Sequence, residues 1–206
     1  MTVDGPGGSG KSTTVAALSE HLRQNGHTVH TTSEPSPSPL GAAIRKLAND
    51  VHGIAPALLV AADRHHHVTS EIRPALAAGH IVICDRYLPT SLVLQRLDGV
   101  PLDFIQTINA GIMLPDLAVI LTAPAATISE RLLARGSHHR FEDDPANVQR
   151  ELDLYEQAIE ILESIPIRIA HIDISGLTPA GVVQAILHTG AVASATVAPD
   201  LDPDAG

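Results

Sequence analysis

Gly5-Pro6-Gly7-Gly8-Ser9-Gly10-Lys11-Ser12 stands between a short apolar run, Met1 to Asp4, and a helical pattern from Lys11 to Gln24 that closes at Asn25-Gly26. The octet fits G-x-x-x-x-G-K-[ST], and a strand giving way to a helix is the context that pattern requires. Its glycines let successive backbone N–H groups curl around a phosphate, and the helix adds the positive end of its dipole. On this reading Gly5, Gly7, Gly8, Ser9, Gly10, Lys11, Ser12 and Thr13 form a phosphate-binding loop. Lys11 would reach the β- and γ-phosphates, and the Ser12 hydroxyl would bind Mg²⁺. The plainer alternative is a flexible glycine-rich turn.

Working outward, apolar β-rich runs alternate with helical segments, the pattern of a mostly parallel sheet covered by helices. After the loop helix, the reading places strand His27 to Thr32, a proline-rich loop from Ser33 to Pro39, and helices Leu40 to Val51 and Ala57 to Ala78. Strand Ile81 to Asp85 follows, then helices Thr90 to Leu97 and Leu102 to Ile112, strand Leu117 to Thr122 and helix Pro124 to Ala134. A long helix Ala146 to Ser164, strand Ile167 to Ile174 and helix Pro179 to Thr189 complete the pattern. Residues 1–190 therefore read as one domain, and the small, Asp- and Pro-containing stretch 191–206 as a disordered tail. The first strand has only three residues before Asp4, where a central strand has about five or six.

The 206 residues carry 13 Lys+Arg against 23 Asp+Glu, a net charge of −10 that argues against a general nucleic-acid binder. Two Tyr, two Phe and no Trp leave no platform for stacked single strands. One cysteine, Cys84, rules out a disulfide framework and a cysteine-based zinc site, and it points to a reducing, cytoplasmic compartment. No apolar run approaches the roughly 20 residues of a membrane span.

Asp85-Arg86-Tyr87 closes an apolar strand, and open parallel sheets bind ligands at the carboxyl ends of their strands. Asp85 can hold Mg²⁺ through water there, and Arg86 can clamp an acceptor phosphate bidentately; an Asp-Arg surface pair is the alternative. Arg131, Arg135 and Arg140 form a basic excursion around Gly136 in an acidic chain, which reads as a lid at about residues 136–145 or as a solvated helix end. The adjacent residues His65, His66 and His67 point about 100° apart on a helix and cannot form a three-ligand metal face. His66 or His67 is a candidate for the acceptor pocket, His138 and His139 for phosphate contact when protonated, and Asn109 reads as ordinary packing.

In order and spacing these motifs resemble the thymidylate kinase family of nucleoside monophosphate kinases. The resemblance rests on Asp4 to Thr13, Ser33-Glu34-Pro35, Ala62-Asp63-Arg64, Pro74 to Gly79, Asp85-Arg86-Tyr87, Leu114-Pro115-Asp116-Leu117, and Arg135-Gly136 with Arg140 and Glu142. It implies a three-layer α/β fold of the P-loop NTPase type, with a five-stranded parallel sheet, helices on both faces and a small lid. It also implies transfer of the γ-phosphoryl of ATP, with Mg²⁺, to a nucleoside 5′-monophosphate, dTMP or a related pyrimidine nucleotide. Lys11, Arg86, Arg135 and Arg140 would be catalytic and Ser12 and Asp85 metal-binding. Asp4, Glu34, Arg45, Val60, Arg64, Arg86, Ser91, Leu94 and Gln95 would surround the acceptor, with Arg64 on the pyrimidine edge. A homodimer is implied as well, with Leu58 to Arg73 and Leu92 to Ile112 as candidate faces. A cytidylate-type or specialised metabolite kinase is an alternative, and a nucleotide-binding switch ATPase is another.

Three departures from the resemblance cluster at the acceptor. Gly7 stands where the family loop has an aspartate near the acceptor sugar, Val60 where a phenylalanine stacks on thymine, and Leu94 where a tyrosine often sits by the sugar 2′ position. They predict a lost sugar contact and a base pocket open to a modified nucleotide.

Overall fold

A computed structural model describes residues 1–136, 140–142 and 146–190. The expectations for His138, His139 and the tail 191–206 lie outside the described residues, as does the side chain of Arg140.

Five strands form one sheet: β1 (Thr2–Asp4), β2 (Val29–Ser33), β3 (Ile81–Asp85), β4 (Leu117–Thr122) and β5 (Arg168–Asp173). Their order is β2-β3-β1-β4-β5, with every neighbouring pair parallel. The register lines up the carboxyl ends, pairing Ser33 with Asp85, Val3 with Asp85, and Asp4 with Ile120. Short as it is, β1 pairs on both edges and is buried throughout.

Nine helices are described: α1 (Lys11–Gln24), α2 (Pro39–Leu47), α3 (Ile54–His67), α4 (Arg73–Ala77), α5 (Leu88–Leu97), α6 (Leu102–Ile108), α7 (Ala125–Arg135), α8 (Ala146–Glu163) and α9 (Pro179–His188). Period-two strand geometry divides the core between the two faces. Val3, Ile83, Val119 and Leu121 pack with Leu18 and Leu22 of α1 and Val183 and Ile186 of α9. Val82, Cys84 and Ile120 face the other way, onto Leu92 and Val93 of α5, Ile105 of α6 and Leu162 of α8. Full burial of a side chain such as Ile83 or Leu121 contributes roughly 2 kcal/mol. Helices thus cover both faces, as the alternating pattern predicts.

Where element bounds differ from the sequence reading, local chemistry gives the reason. The helix expected over Ala57 to Ala78 begins at Ile54 and is interrupted by a π-helical turn, Val68–Ile72, before α4. Pro74 has no N–H to offer the preceding turn, so the helix widens there. Pro89 sits in the first turn of α5, which therefore starts at Leu88 rather than Thr90. Helix α6 ends at Ile108, four residues early, because Gly111 takes a left-handed φ of 76° in the turn that follows. Helix α2 stops at Leu47 rather than Val51, and β2 is displaced to Val29–Ser33.

Candidate functional site

The loop between β1 and α1 is held from below. Tyr155, fully buried on α8, donates from its hydroxyl to the Gly5 carbonyl at 2.8 Å. Gly10 enters α1 with φ 79°, a left-handed conformation suited to glycine, and no side chain caps the helix. The first-turn N–H groups of α1 therefore remain open to an anion, with no acidic residue in that turn to compete. Lys11 donates to the carbonyls of Gly5 at 2.8 Å and Pro6 at 2.7 Å. Burial, with the Arg86 guanidinium nearby, pushes its ammonium down to about 7. Gly8, Gly10, Lys11, Ser12 and Thr13 line a cavity of about 450 Å³ together with Asp85, Arg86, Arg131 and Arg135, whereas Gly5, Gly7 and Ser9 lie outside its lining.

Ser12 donates to Asp85 Oδ2 at 2.6 Å, bringing the loop and the end of β3 together. Asp85 Oδ1 is buried without a hydrogen-bond partner. One hydroxyl and one carboxylate with an unsatisfied oxygen are the hard-oxygen donors that suit Mg²⁺, which keeps several waters and phosphate oxygens in its shell. Among the described residues no three His, Cys, Asp or Glu side chains stand together as a protein-only metal cage.

Arg86 follows with φ 72°, a left-handed backbone that a non-glycine residue holds only at a cost of about 1–3 kcal/mol. Its N–H is fixed by the Val3 carbonyl at 2.9 Å, and its Nη1 is buried without a partner. Arg86 lines both the phosphate cavity and a second one of about 400 Å³, so one strained residue with a buried, unpaired guanidinium nitrogen belongs to both. Glu34 lines both as well, beside a cis peptide to Pro35.

The second cavity is apolar along Ile44, Leu47, Val60 and Leu94 and polar at Arg64, Ser91 and Gln95. Arg64 is 1% exposed. Its Nε and Nη2 each lie 2.7 Å from Glu34 Oε2, Nη2 also donates to Ser91 Oγ at 2.8 Å, and Nη1 to Asn109 Oδ1 at 2.5 Å. The guanidinium carbon stands 5.0 Å from the Tyr87 ring centroid. Burial alone would lower the Arg64 pKa, and the Glu34 carboxylate reverses this and raises it. Gln95 Nε2 donates to Ser91 Oγ at 3.2 Å, while Gln95 Oε1 is buried without a partner. Arg45 lines the cavity mouth and donates to the Pro35 carbonyl at 2.6 Å.

Most residues expected around the acceptor therefore meet in this second cavity, and Asp4 does not. It is fully buried, with Oδ1 accepting from Tyr87 N at 2.8 Å, Thr90 N at 3.1 Å and Thr90 Oγ1 at 2.7 Å. Burial raises its carboxyl above the ordinary range, and the hydrogen bonds partly oppose this. Asp4 thus ties β1 to the start of α5 and lines neither cavity. The space above Gly7 is not open either, since the Glu142 carboxylate lies there, paired with Arg135 Nη2 at 2.7 Å.

Sequence reasoning missed two contributors, Asn109 and Tyr155. Asn109, read as packing, orients Arg64 from 45 residues away. Of the two histidines expected at the acceptor pocket neither lines it: His67 is buried behind Glu34, with Nδ1 3.4 Å from Glu34 Oε1 and Nε2 2.8 Å from Thr32 Oγ1, and His66 is exposed. Tyr155 braces the loop from 150 residues away. Neither Asn109 nor Tyr155 carries a local signal; only the fold brings them in.

A parallel sheet whose strand ends carry a phosphate loop, and beside it a second pocket sharing an arginine, defines a P-loop phosphotransferase with two substrate sites. Residues 3–185 match the family model described as thymidylate kinase. A probable thymidylate kinase of Caldivirga maquilingensis is 42% identical over 146 residues, covering 69% of this chain and 71% of that protein. Thymidylate kinases of Caldicellulosiruptor saccharolyticus and Clavibacter sepedonicus are 36% and 42% identical, covering 74% and 71% of this chain and 78% and 74% of their own lengths. The chain belongs to the thymidylate kinase family.

Proposed function

We propose that the protein transfers the γ-phosphoryl group of ATP to the 5′-monophosphate of a pyrimidine nucleoside, dTMP or a base-modified relative. The observation that carries this reading is Arg86, which lines both cavities and keeps a buried Nη1 without a partner. One cavity is built for a triphosphate and the other for a flat, partly apolar molecule.

In this reading the amides of Gly8 to Ser12 and the Lys11 ammonium hold the donor phosphates, and Arg86 presents the acceptor phosphate in line with them. Ser12 and Asp85 would hold Mg²⁺, which would neutralise charge on the phosphate oxygens. Arg135 places positive charge beside the transferring group, and the family resemblance extends that role to Arg140. Little covalent chemistry is asked of the chain, so fixed donors and exclusion of water supply the rate.

The base is read by three groups. Ser91 Oγ already accepts from Arg64 and Gln95, so its own O–H is left to donate. Arg64 keeps one N–H of Nη1 without an acceptor among the described residues, and Gln95 Oε1 is an unused acceptor. Two donors and one acceptor complement a pyrimidine edge, which offers two acceptors and one donor, and mismatch guanine, which offers the reverse. Val60 and Leu94, in place of rings, widen the pocket around that edge and favour tolerance of substituted bases.

ATP consumption against dTMP, dUMP, dCMP, CMP, UMP, 5-substituted pyrimidine nucleotides and no acceptor tests the reading. Acceptor-dependent turnover with a pyrimidine nucleotide is expected. Equal ATP hydrolysis with and without acceptor would replace it by a switch ATPase.

The same reading makes the protein a homodimer of the cytoplasm. An exposed apolar strip, Leu47, Ile54 and Leu58, supports the first, and the single buried cysteine suits the second. No described helix is long and apolar enough to cross a membrane.

A further inference from the structure

Gly5, Gly8 and Gly10 are held at φ 143°, 75° and 79°, where a side chain strains the backbone. Gly7 is not in that region, so its backbone would accept any L residue. What excludes a side chain is Glu142. The three atoms nearest an added Cβ all belong to it: Oε1 in direct overlap, Cδ at 2.9 Å and Cγ at 3.1 Å. The Glu142 side chain is only 2% exposed, forms the 2.7 Å ion pair with Arg135, and lines the phosphate cavity with Lys11, Ser12, Asp85 and Arg86.

We infer that Glu142 is a positioning residue for phosphoryl transfer, seated on the bare face of Gly7 so that its carboxylate fixes the Arg135 guanidinium toward the phosphates. This rests on the kinase reading above. A buried carboxylate beside a triphosphate repels it unless its charge is matched, and the charge-assisted bond to Arg135 matches it. The bond also holds the arginine in place before substrate arrives, and a preorganised charge needs no rearrangement at the moment of reaction. Glycine at position 7 is therefore the counterpart of glutamate at 142, two residues 135 positions apart acting as one unit. The sugar contact expected to be lost with a loop aspartate is not an empty place: a carboxylate enters it from another element.

A double-mutant cycle tests the inference. Gly7→Ala and Glu142→Ala should each lower kcat roughly tenfold, as expected for a slightly misplaced group, with both KM values changed less than about threefold. Gly7→Ala/Glu142→Ala should be no slower than Glu142→Ala, since both changes act through one carboxylate. Gly7→Asp/Glu142→Ala, which returns a carboxylate to the same space from the loop side, should run at least about threefold faster than Glu142→Ala. Losses that multiply in the double variant, a Glu142→Ala enzyme with unchanged kcat, or no gain from Gly7→Asp would each overturn the inference. The melting midpoint needs no turnover: Gly7→Ala should lower it in the wild-type background and leave it unchanged in Glu142→Ala. An equal drop in both backgrounds removes the seat. Should the wild type show no acceptor-dependent turnover, the kinase reading falls by itself, and the midpoints alone then decide the Gly7–Glu142 unit.

Discussion

Lys11 carries two opposing demands. It must be a cation when phosphates arrive, yet burial and the neighbouring Arg86 hold it at about 7. A triphosphate brings negative charge within a few ångströms and favours the ammonium, so its pKa in the complex rises. The sign follows directly: above pH 7 the free protein has lost part of this proton, and binding must recover it. Titration calorimetry of a non-hydrolysable ATP analogue at pH 8, in two buffers of different ionisation enthalpy, should show net uptake approaching about one proton. The affinity should fall as pH rises from 7 toward the pKa of the complex. Binding without proton exchange at pH 8 would mean that Lys11 is already charged before the nucleotide binds. Arg86 makes the complementary point, because its strained φ and unpaired nitrogen are costs that folding alone would not retain.

At the scale of elements, the site depends on joints between strand ends and helix starts. Asp4 is the clearest, since its carboxylate satisfies two backbone N–H groups at the entry to α5, those of Tyr87 and Thr90, and the Thr90 hydroxyl. Asp4→Ala leaves both N–H groups buried and unpaired, at a cost of about 3 kcal/mol. For a domain of this size that is a fall in melting midpoint of roughly 6–12 °C, read by calorimetry or circular dichroism. A drop below about 2 °C would show that water or a neighbour takes over the bonds. This joint also shows what was legible in the sequence. The phosphate loop was, because its mechanism needs eight contiguous residues and a strand-to-helix context. So were the alternating elements, because periodicity carries them, whereas the acceptor residues were grouped by the family resemblance and not by any pattern of their own. The destination of Asp4 was not, for a carboxylate after a strand looks the same whether it turns into the pocket or into the next helix. Nor was the Arg64 network, whose partners Glu34, Ser91 and Asn109 lie 27 to 45 residues away. The π-helical turn before Pro74 escaped as well, because helix periodicity survives a single widened turn.

Seen whole, the molecule gathers its chemistry at the carboxyl ends of β1, β2 and β3 and leaves an apolar strip on the flank of the same pocket. Ile54 and Leu58 are four residues apart on α3 and so share a face, at 50% and 47% exposed, and Leu47 at the end of α2 adds 39%. Pro56, Val60 and Arg64, turned away from that face, line the second cavity, so this helix has the cavity behind it and open apolar surface in front. A second copy covering that surface would bury leucine and isoleucine side chains worth roughly 2 kcal/mol each when fully removed from water. It would also stiffen the helix that holds Arg64 and Val60, which links assembly to acceptor recognition. Sedimentation velocity at tens of micromolar should therefore give the mass of two chains. Leu58→Glu, which sets a charge in the middle of the strip, should give the mass of one and raise the acceptor KM more than it lowers kcat. Because Leu58 is exposed within the single chain, the variant should keep a cooperative melting transition. A wild type that sediments as one chain throughout would remove this face as a homodimer contact and leave α3 to be held by its own chain, α2, α5 and α6 among the elements packed on it.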